Sequence, residues 1–218
     1  MTLKLSKQFS VLLTILVLIF STLSLLAQGD MTMTSSTTTV HRFADGSEID
    51  GAWSTLTRYD NGVLATLHSS DFTPGDVVTM WWVIFNDPSM CSDQCGENDI
   101  FVFEGDEISI GENGPVPNME TIEVTQNTVV GATGIVVGES GEGHFSALLG
   151  VADMPGAFWG PSLLNPMGAE VHLVLRTHGQ IDPASFDEQI STFMGGCAAE
   201  FPNEPCADIQ FAVHLPPA

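Results

Sequence analysis

Val77-Val-Thr-Met-Trp-Trp-Val-Ile-Phe85 constrains the fold more than any other segment of this 218-residue chain. It comes after the turn residues Pro74-Gly75-Asp76 and is apolar at odd and even positions alike. Successive side chains of a strand point to opposite faces. The run therefore predicts a central strand covered on both sides, with Trp81 and Trp82 facing opposite ways.

From about residue 40 the pattern repeats as short β-prone runs broken by Gly, Pro, Asn and Asp. They cover Trp53 to Tyr59, Val63 to His68, Phe101 to Phe103, Glu107 to Ile110, Thr121 to Val130, Ala132 to Val137, His144 to Leu149, Ala169 to Thr177 and Ile209 to Leu215. Asp60-Asn61-Gly62 predicts a tight hairpin whose Asn-Gly positions both take φ > 0. Gly138-Glu-Ser-Gly-Glu-Gly143 reads as a longer hairpin loop. One short helix is expected at Pro183 to Phe193, with Asp182 as N-cap, Pro183 as its first residue and Gly195-Gly196 as its stop. The fold class is all-β: an antiparallel, Greek-key-like β-sandwich with one short helix near the C-terminus.

Residues 1–27 read as a secretory signal. Lys4 and Lys7 supply the positive start, Val11 to Phe20 the apolar core, and Ala27 the small residue before the cut. The alternative is an uncleaved N-terminal anchor. Residues 28–39 are rich in Ser and Thr and read as a flexible leader, and residues 40–218 as one domain. No later segment reaches the roughly 20 apolar residues of a helical span, so a soluble, secreted or periplasmic protein is expected. Both lysines belong to the signal; the rest of the chain holds three arginines against all 27 acidic residues. Phosphate backbones and anionic lipid surfaces both demand positive charge. Neither nucleic acid nor, after signal removal, a membrane is expected as a partner, while a small ligand or a protein partner stays open.

Export permits disulfides, and the cysteines form two local pairs, Cys91 with Cys95 and Cys197 with Cys206. Each pair brackets a turn-rich, polar loop, which favours local bridges. A zinc ion on all four thiolates is the alternative, but the second spacing is too long for a zinc knuckle. The acidic loop Asp87 to Asp99 offers oxygen ligands for Ca²⁺ without the ordered spacing of a calcium loop.

Ala169 to His178 alternates, with Val171, Leu173 and Leu175 on one face and Glu170, His172, Val174, Arg176 and His178 on the other. His144 and His68 likewise oppose the apolar faces of their runs. In the last run Ile209, Phe211, Val213 and Leu215 are expected to form the apolar face, opposite Asp208, Gln210, Ala212 and His214. If these strands are neighbours, three or four of the imidazoles His68, His144, His172, His178 and His214 converge, with Glu170 and Arg176 as second-layer or anion-binding groups. Imidazoles so placed suit Zn or Cu. The leading functional reading is a binding module with a histidine-based metal site; the plainer alternative is separate, hydrogen-bonded histidines. An enzyme of unknown class using His172, Arg176 and Glu170 in a cleft, with a histidine as general base and the arginine holding an anionic substrate, is the runner-up. A structural or adhesion domain without a small ligand is the third reading. The zinc-protease helix, nucleophile elbow, phosphate loop and dinucleotide fingerprint are all missing from the sequence.

Several motifs carry a resemblance: Trp81 to Asn86 with Pro88 and Cys91, Gly168-Ala-Glu-Val-His172, Arg176-Thr-His-Gly179, Gln189 to Phe193 with Gly195-Gly-Cys197, and Asp208 to His214. Through them the chain, from about Gly51 to His214, resembles a family of exported bacterial β-sandwich proteins of unassigned function. A fainter similarity links Phe72-Thr-Pro-Gly-Asp76 and the long strand after it to copper-zinc superoxide dismutase and chordin-domain sandwiches. Dismutases carry a His-x-His copper motif on a core strand, and Trp81-Trp82 occupies the comparable run here. The resemblance implies a Greek-key sandwich and not dismutase activity.

Overall fold

The computed structural model describes residues 32–105, 107–111, 114–199 and 203–217. The signal assigned to residues 1–27 lies outside them, as do residues 28–31 of the leader. The main strands are β1 (Met33–Arg42), β2 (Glu48–Tyr59), β3 (Gly62–Ser69) and β4 (Asp76–Phe85). Two small hairpins come next, β5 (Phe103–Glu104) with β6 (Glu107–Ile108) and β7 (Ile110–Gly111) with β8 (Gly114–Pro115). Then come helix α1 (Met119–Thr125), β9 (Asn127–Val136), β10 (Gly143–Gly150), β11 (Glu170–Gln180), helix α2 (Phe186–Ser191) and β12 (Ala207–His214).

Eight strands form one antiparallel sheet in the order β10-β3-β2-β1-β12-β11-β4-β9. The outermost strands, β9 and β10, lie against each other, so the sheet curls until it is nearly closed into a barrel. Closure removes exposed strand edges and encloses a core. The all-β antiparallel class and a short C-terminal helix are as predicted, and the two layers expected of a sandwich are arms of a single sheet.

β4 explains why there are two apolar layers. Val78, Met80, Trp82 and Ile84 point into the barrel beside Leu56, Leu67, Leu149 and Leu173. Trp81, Val83 and Phe85 point outward, into a second cluster with Ile100 and Val129. The outward layer is covered by connections rather than strands: the disulfide-bearing segment after β4, the β10–β11 connection and the residues around α2. Both disulfides join the local pairs, Cys91–Cys95 and Cys197–Cys206.

Several local expectations are corrected. Residues 33–39 of the leader are not a spacer. They form β1, in register with β2 from Met33↔Tyr59 to Thr39↔Trp53, and the compact unit begins at Met33 rather than at residue 40. β-Branched threonine suits a pleated surface, and the outward hydroxyls pair across strands, Thr37 with Thr55 at 2.9 Å. The run Thr121 to Val130 splits. Its first half is α1, started by Asn118, whose side chain accepts the Thr121 N–H, and stopped by left-handed Gln126. Its second half merges with Ala132 to Val136 into β9, which carries an extra residue opposite Met80 and Trp81.

The β2–β3 hairpin exists, but Tyr59 pairs with Gly62, so Asp60 and Asn61 make the turn, and neither takes φ > 0. Gly62 serves another end: a Cβ there would lie 2.5 Å from the Leu149 carbonyl oxygen of β10. The loop 138–142 connects β9 and β10 across the barrel's closing seam rather than as a hydrogen-bonded hairpin. α2 begins after Ser185, not at Pro183; Asp182 instead accepts the Ala184 N–H and the Ser185 hydroxyl in the preceding turn.

Candidate functional site

The histidines do not converge. His68 and His144 are cross-strand partners on the outer surface of β3 and β10, with rings stacked at 4.3 Å. His214 points into the barrel, fully enclosed, bonded through Nδ1 to Ser36 Oγ (3.0 Å) and through Nε2 to Ser54 Oγ (2.9 Å). Burial, then the nearby charges of Arg58 and His172, pushes its pKa down to about 4, so the ring is neutral at physiological pH.

The phase expected for β12 is therefore inverted. Gln210, Ala212 and His214 are buried within the barrel, while Phe211 and Val213 line its outside. Opposite Leu175 and Arg176, β12 carries an extra residue, Ile209, which swings Asp208 to the outer face beside Arg176.

His178 is also fully enclosed, outside the barrel wall. The Gly195 carbonyl can only accept, so Nδ1 donates to it at 2.7 Å, and Nε2 accepts the Thr79 hydroxyl at 2.8 Å. Trp81 Nε1 in turn donates to Thr79 Oγ1 at 2.7 Å. Burial is the chief cause of the lowered pKa of His178. Its ring, Cys197 Sγ and Cys206 Sγ place ligand atoms within 4.8 Å of one another, a set that could hold a metal. The two sulfurs are joined in the disulfide and both ring nitrogens are bonded, so the oxidised protein offers no thiolate there. Among the described residues no other His, Cys, Asp or Glu group has that spacing.

His172 occupies a different setting, the floor of a cleft on the outer face of β4, β11 and β12. Its Nε2 bonds Glu170 Oε1 at 2.7 Å, with the two side chains only 12% and 8% exposed. The carboxylate holds the ring in place through this bond. Trp81, Val83, Val174 and Val213 complete the floor.

Loops raise the walls, and a single residue pins two of them. Asn127, fully buried at the start of β9, donates to the Asp99 carbonyl (2.9 Å) and accepts from Trp159 Nε1 (2.9 Å). Asp99 itself accepts the backbone N–H groups of Ser92 (3.0 Å) and Gly96 (3.1 Å), so its carboxylate shapes the Cys91–Cys95 loop rather than facing an ion. Phe193 forms the third wall, stacked on Phe158 at 4.6 Å and edge-on to Trp81 at 5.1 Å.

Two adjoining cavities, of about 410 and 510 Å³, share Phe43, Glu97, Phe101, Trp159, Phe193 and Asp208 as lining. Polar groups in this aromatic cleft are few. Arg176 is 6% exposed, bonded to Asp208 Oδ1 (2.8 Å) and the Phe193 carbonyl (3.1 Å), with its guanidinium 4.3 Å from the Phe193 ring centre. Glu97 stands at the exposed rim, yet its carboxyl is held above the usual range, chiefly by loss of water and then by the charge of Asp208. His172 with Glu170 has the form of a general base and its orienting acid, but Arg176, expected to hold an anion, is already committed to Asp208.

His172, Glu170 and Arg176 were legible in the sequence; Glu97, Asp208 and the aromatic walls were missed. The available signal was the placement of Phe43, Phe101, Phe158-Trp159 and Phe193 in turn-rich connections, where rings of that size need cover. No protein-family model, no curated protein and no solved structure matches this chain. The resemblance to exported bacterial β-sandwich proteins therefore rests on the motifs alone.

Proposed function

We propose that the chain is an exported binding module that takes a small, largely apolar molecule into the aromatic cleft. One observation carries this reading: a concave site of ligand size, walled by rings and furnished with a few convergent polar groups. The fully paired interior histidines do not compete with it, because His214 and His178 have no free nitrogen to offer. N-phenyl-1-naphthylamine, an uncharged fluorescent probe, tests the reading. Saturable fluorescence enhancement is expected with the native chain and its loss with Val174→Trp, which fills the cleft floor. No enhancement, or enhancement equal in the filled variant, overturns it.

Metal binding is a second reading, supported by the 4.8 Å grouping of His178, Cys197 and Cys206. Zn or Cu would need that disulfide reduced, giving two thiolates beside an imidazole. Stoichiometric metal in protein purified under reducing conditions supports it, and metal-free protein under those conditions overturns it.

A further inference from the structure

We infer that the cleft is built for an organic cation, an ammonium group on an apolar body, caged by aromatic rings and facing the Glu97 and Asp208 carboxylates. The inference rests on the cleft being a ligand site and names the class of molecule it takes.

The rings come first. Phe43, Phe101, Trp159, Phe193 and Phe211 line the cavity of about 410 Å³; the face of each ring carries a negative quadrupole that attracts a cation, and the faces of Phe193 are taken by Phe158 and Arg176. The protein already uses one of these faces in this way, with Arg176 above Phe193.

The charges come second. Two carboxylates, Glu97 and Asp208, line both cavities, and Arg176 lines one of them. Arg176 is taken by Asp208 and by the Phe193 carbonyl, which leaves one of the two negative charges without a cationic partner among the described residues. Loss of water and then the charge of Asp208 hold the Glu97 pKa up, and a cation between the two groups relieves the second of these.

The described residues have no other cation to place there. Arg42 pairs with Asp71, Arg58 is enclosed in the barrel, and there is no lysine among them. A hard ion such as Ca²⁺ is a poor occupant, because it takes six to eight oxygen ligands and the walls are mostly carbon. An anion meets two carboxylates. A neutral ligand gains from the rings but not from the charges. A cation with apolar bulk gains from both.

Displacement of bound N-phenyl-1-naphthylamine by two molecules of equal shape separates these cases. Benzyltrimethylammonium carries the charge, and neopentylbenzene replaces its nitrogen with carbon. The cation is expected to displace the probe at a concentration about tenfold lower than its isostere. In Glu97→Gln, a rim substitution whose folding is checked by its melting temperature, that ratio is expected to shrink toward one. Equal displacement by both molecules in the native chain overturns the cation inference and leaves the cleft a neutral-ligand site. A preference that Glu97→Gln leaves intact overturns the role given to the carboxylates. Failure of the probe itself to bind overturns the cleft reading and the inference with it.

Discussion

Two arginine-histidine neighbourhoods flank the same wall of the barrel, and they are finished to different degrees. Inside, Arg58 donates to the carbonyls of Pro166, Ala169, His214 and Leu215 at 2.7–3.2 Å, with no carboxylate among its bonded partners. It ties β2 to the segment before β11 and to the end of β12, and burial lowers its pKa to about 10 without removing its charge at neutral pH. His214 beside it has both nitrogens filled by serines. Outside, Arg176 bonds Asp208 with its guanidinium over the Phe193 ring, His172 bonds only Glu170 and lines the cleft, and Glu97 has no cation among the described residues. The inner group is saturated, which is what a structural role needs. The outer group is left unsatisfied within reach of a cavity, which is what recognition needs.

The most direct way to break this contrast is to remove each arginine. Arg58→Met strands the buried carbonyls of Pro166, Ala169 and His214 and is expected to cost at least about 3 kcal/mol in denaturant unfolding, against about 1–2 kcal/mol for Arg176→Met, whose partner Asp208 is 31% exposed. Equal losses would remove the distinction between the two neighbourhoods.

Acid probes the inner group through His214. The folded pKa of His214 is about 4 against an ordinary 6.5, so the unfolded chain takes up its proton first. The stabilising preference for the neutral ring is complete above about pH 6.5 and is lost as the pH falls toward 4. Its size is about 3 kcal/mol at 1.36 kcal/mol per pKa unit. His178, lowered in the same direction, adds to the slope. His214→Gln should flatten the curve of stability against pH across that window, and an unchanged slope would falsify the assignment.

Asn127 sharpens the comparison from the cleft side. Asn127→Ala unpins the Asp99 loop and Trp159 together, at an expected cost of about 2 kcal/mol, and should weaken probe binding by about tenfold or more. Native affinity in that variant would mean that the walls hold their shape without it. At the small end, Glu97→Gln should change stability by no more than about 0.5 kcal/mol, since the residue sits at the rim. Chelators should leave the melting temperature of the oxidised protein unchanged; a clear drop would point to a metal that the disulfide excludes.

The legible part of this molecule is what short-range pattern records. β4 is apolar on both parities and is buried on both faces, with its two tryptophans divided between the layers. The cysteine pairs close over a few residues, where chain proximity favours local bridging. The hairpin after Tyr59 was legible although its turn lies one residue earlier than expected. β12 marks the limit. Its Phe211 and Val213 face is the more apolar one, yet it faces outward, because loops cover that side while Ser54 and Ser69 receive its polar face within the barrel. The leader failed as a spacer for a related reason: β1 has strand partners on both sides for its backbone, and its hydroxyls stay largely exposed or pair across strands.

By itself the sequence determined an all-β antiparallel chain with a doubly covered central strand and two local disulfides, because alternation and turn chemistry act within a few residues. Only the tertiary structure decided which face of each strand lies inside, and that His214 and His178 are enclosed while His172 opens to a cleft. The reason is that the cleft is assembled from the β1–β2 turn, the Cys91–Cys95 loop, the β10–β11 connection, the α2 segment and four strands of the main sheet. No periodicity along the chain relates side chains that meet only when the sheet closes.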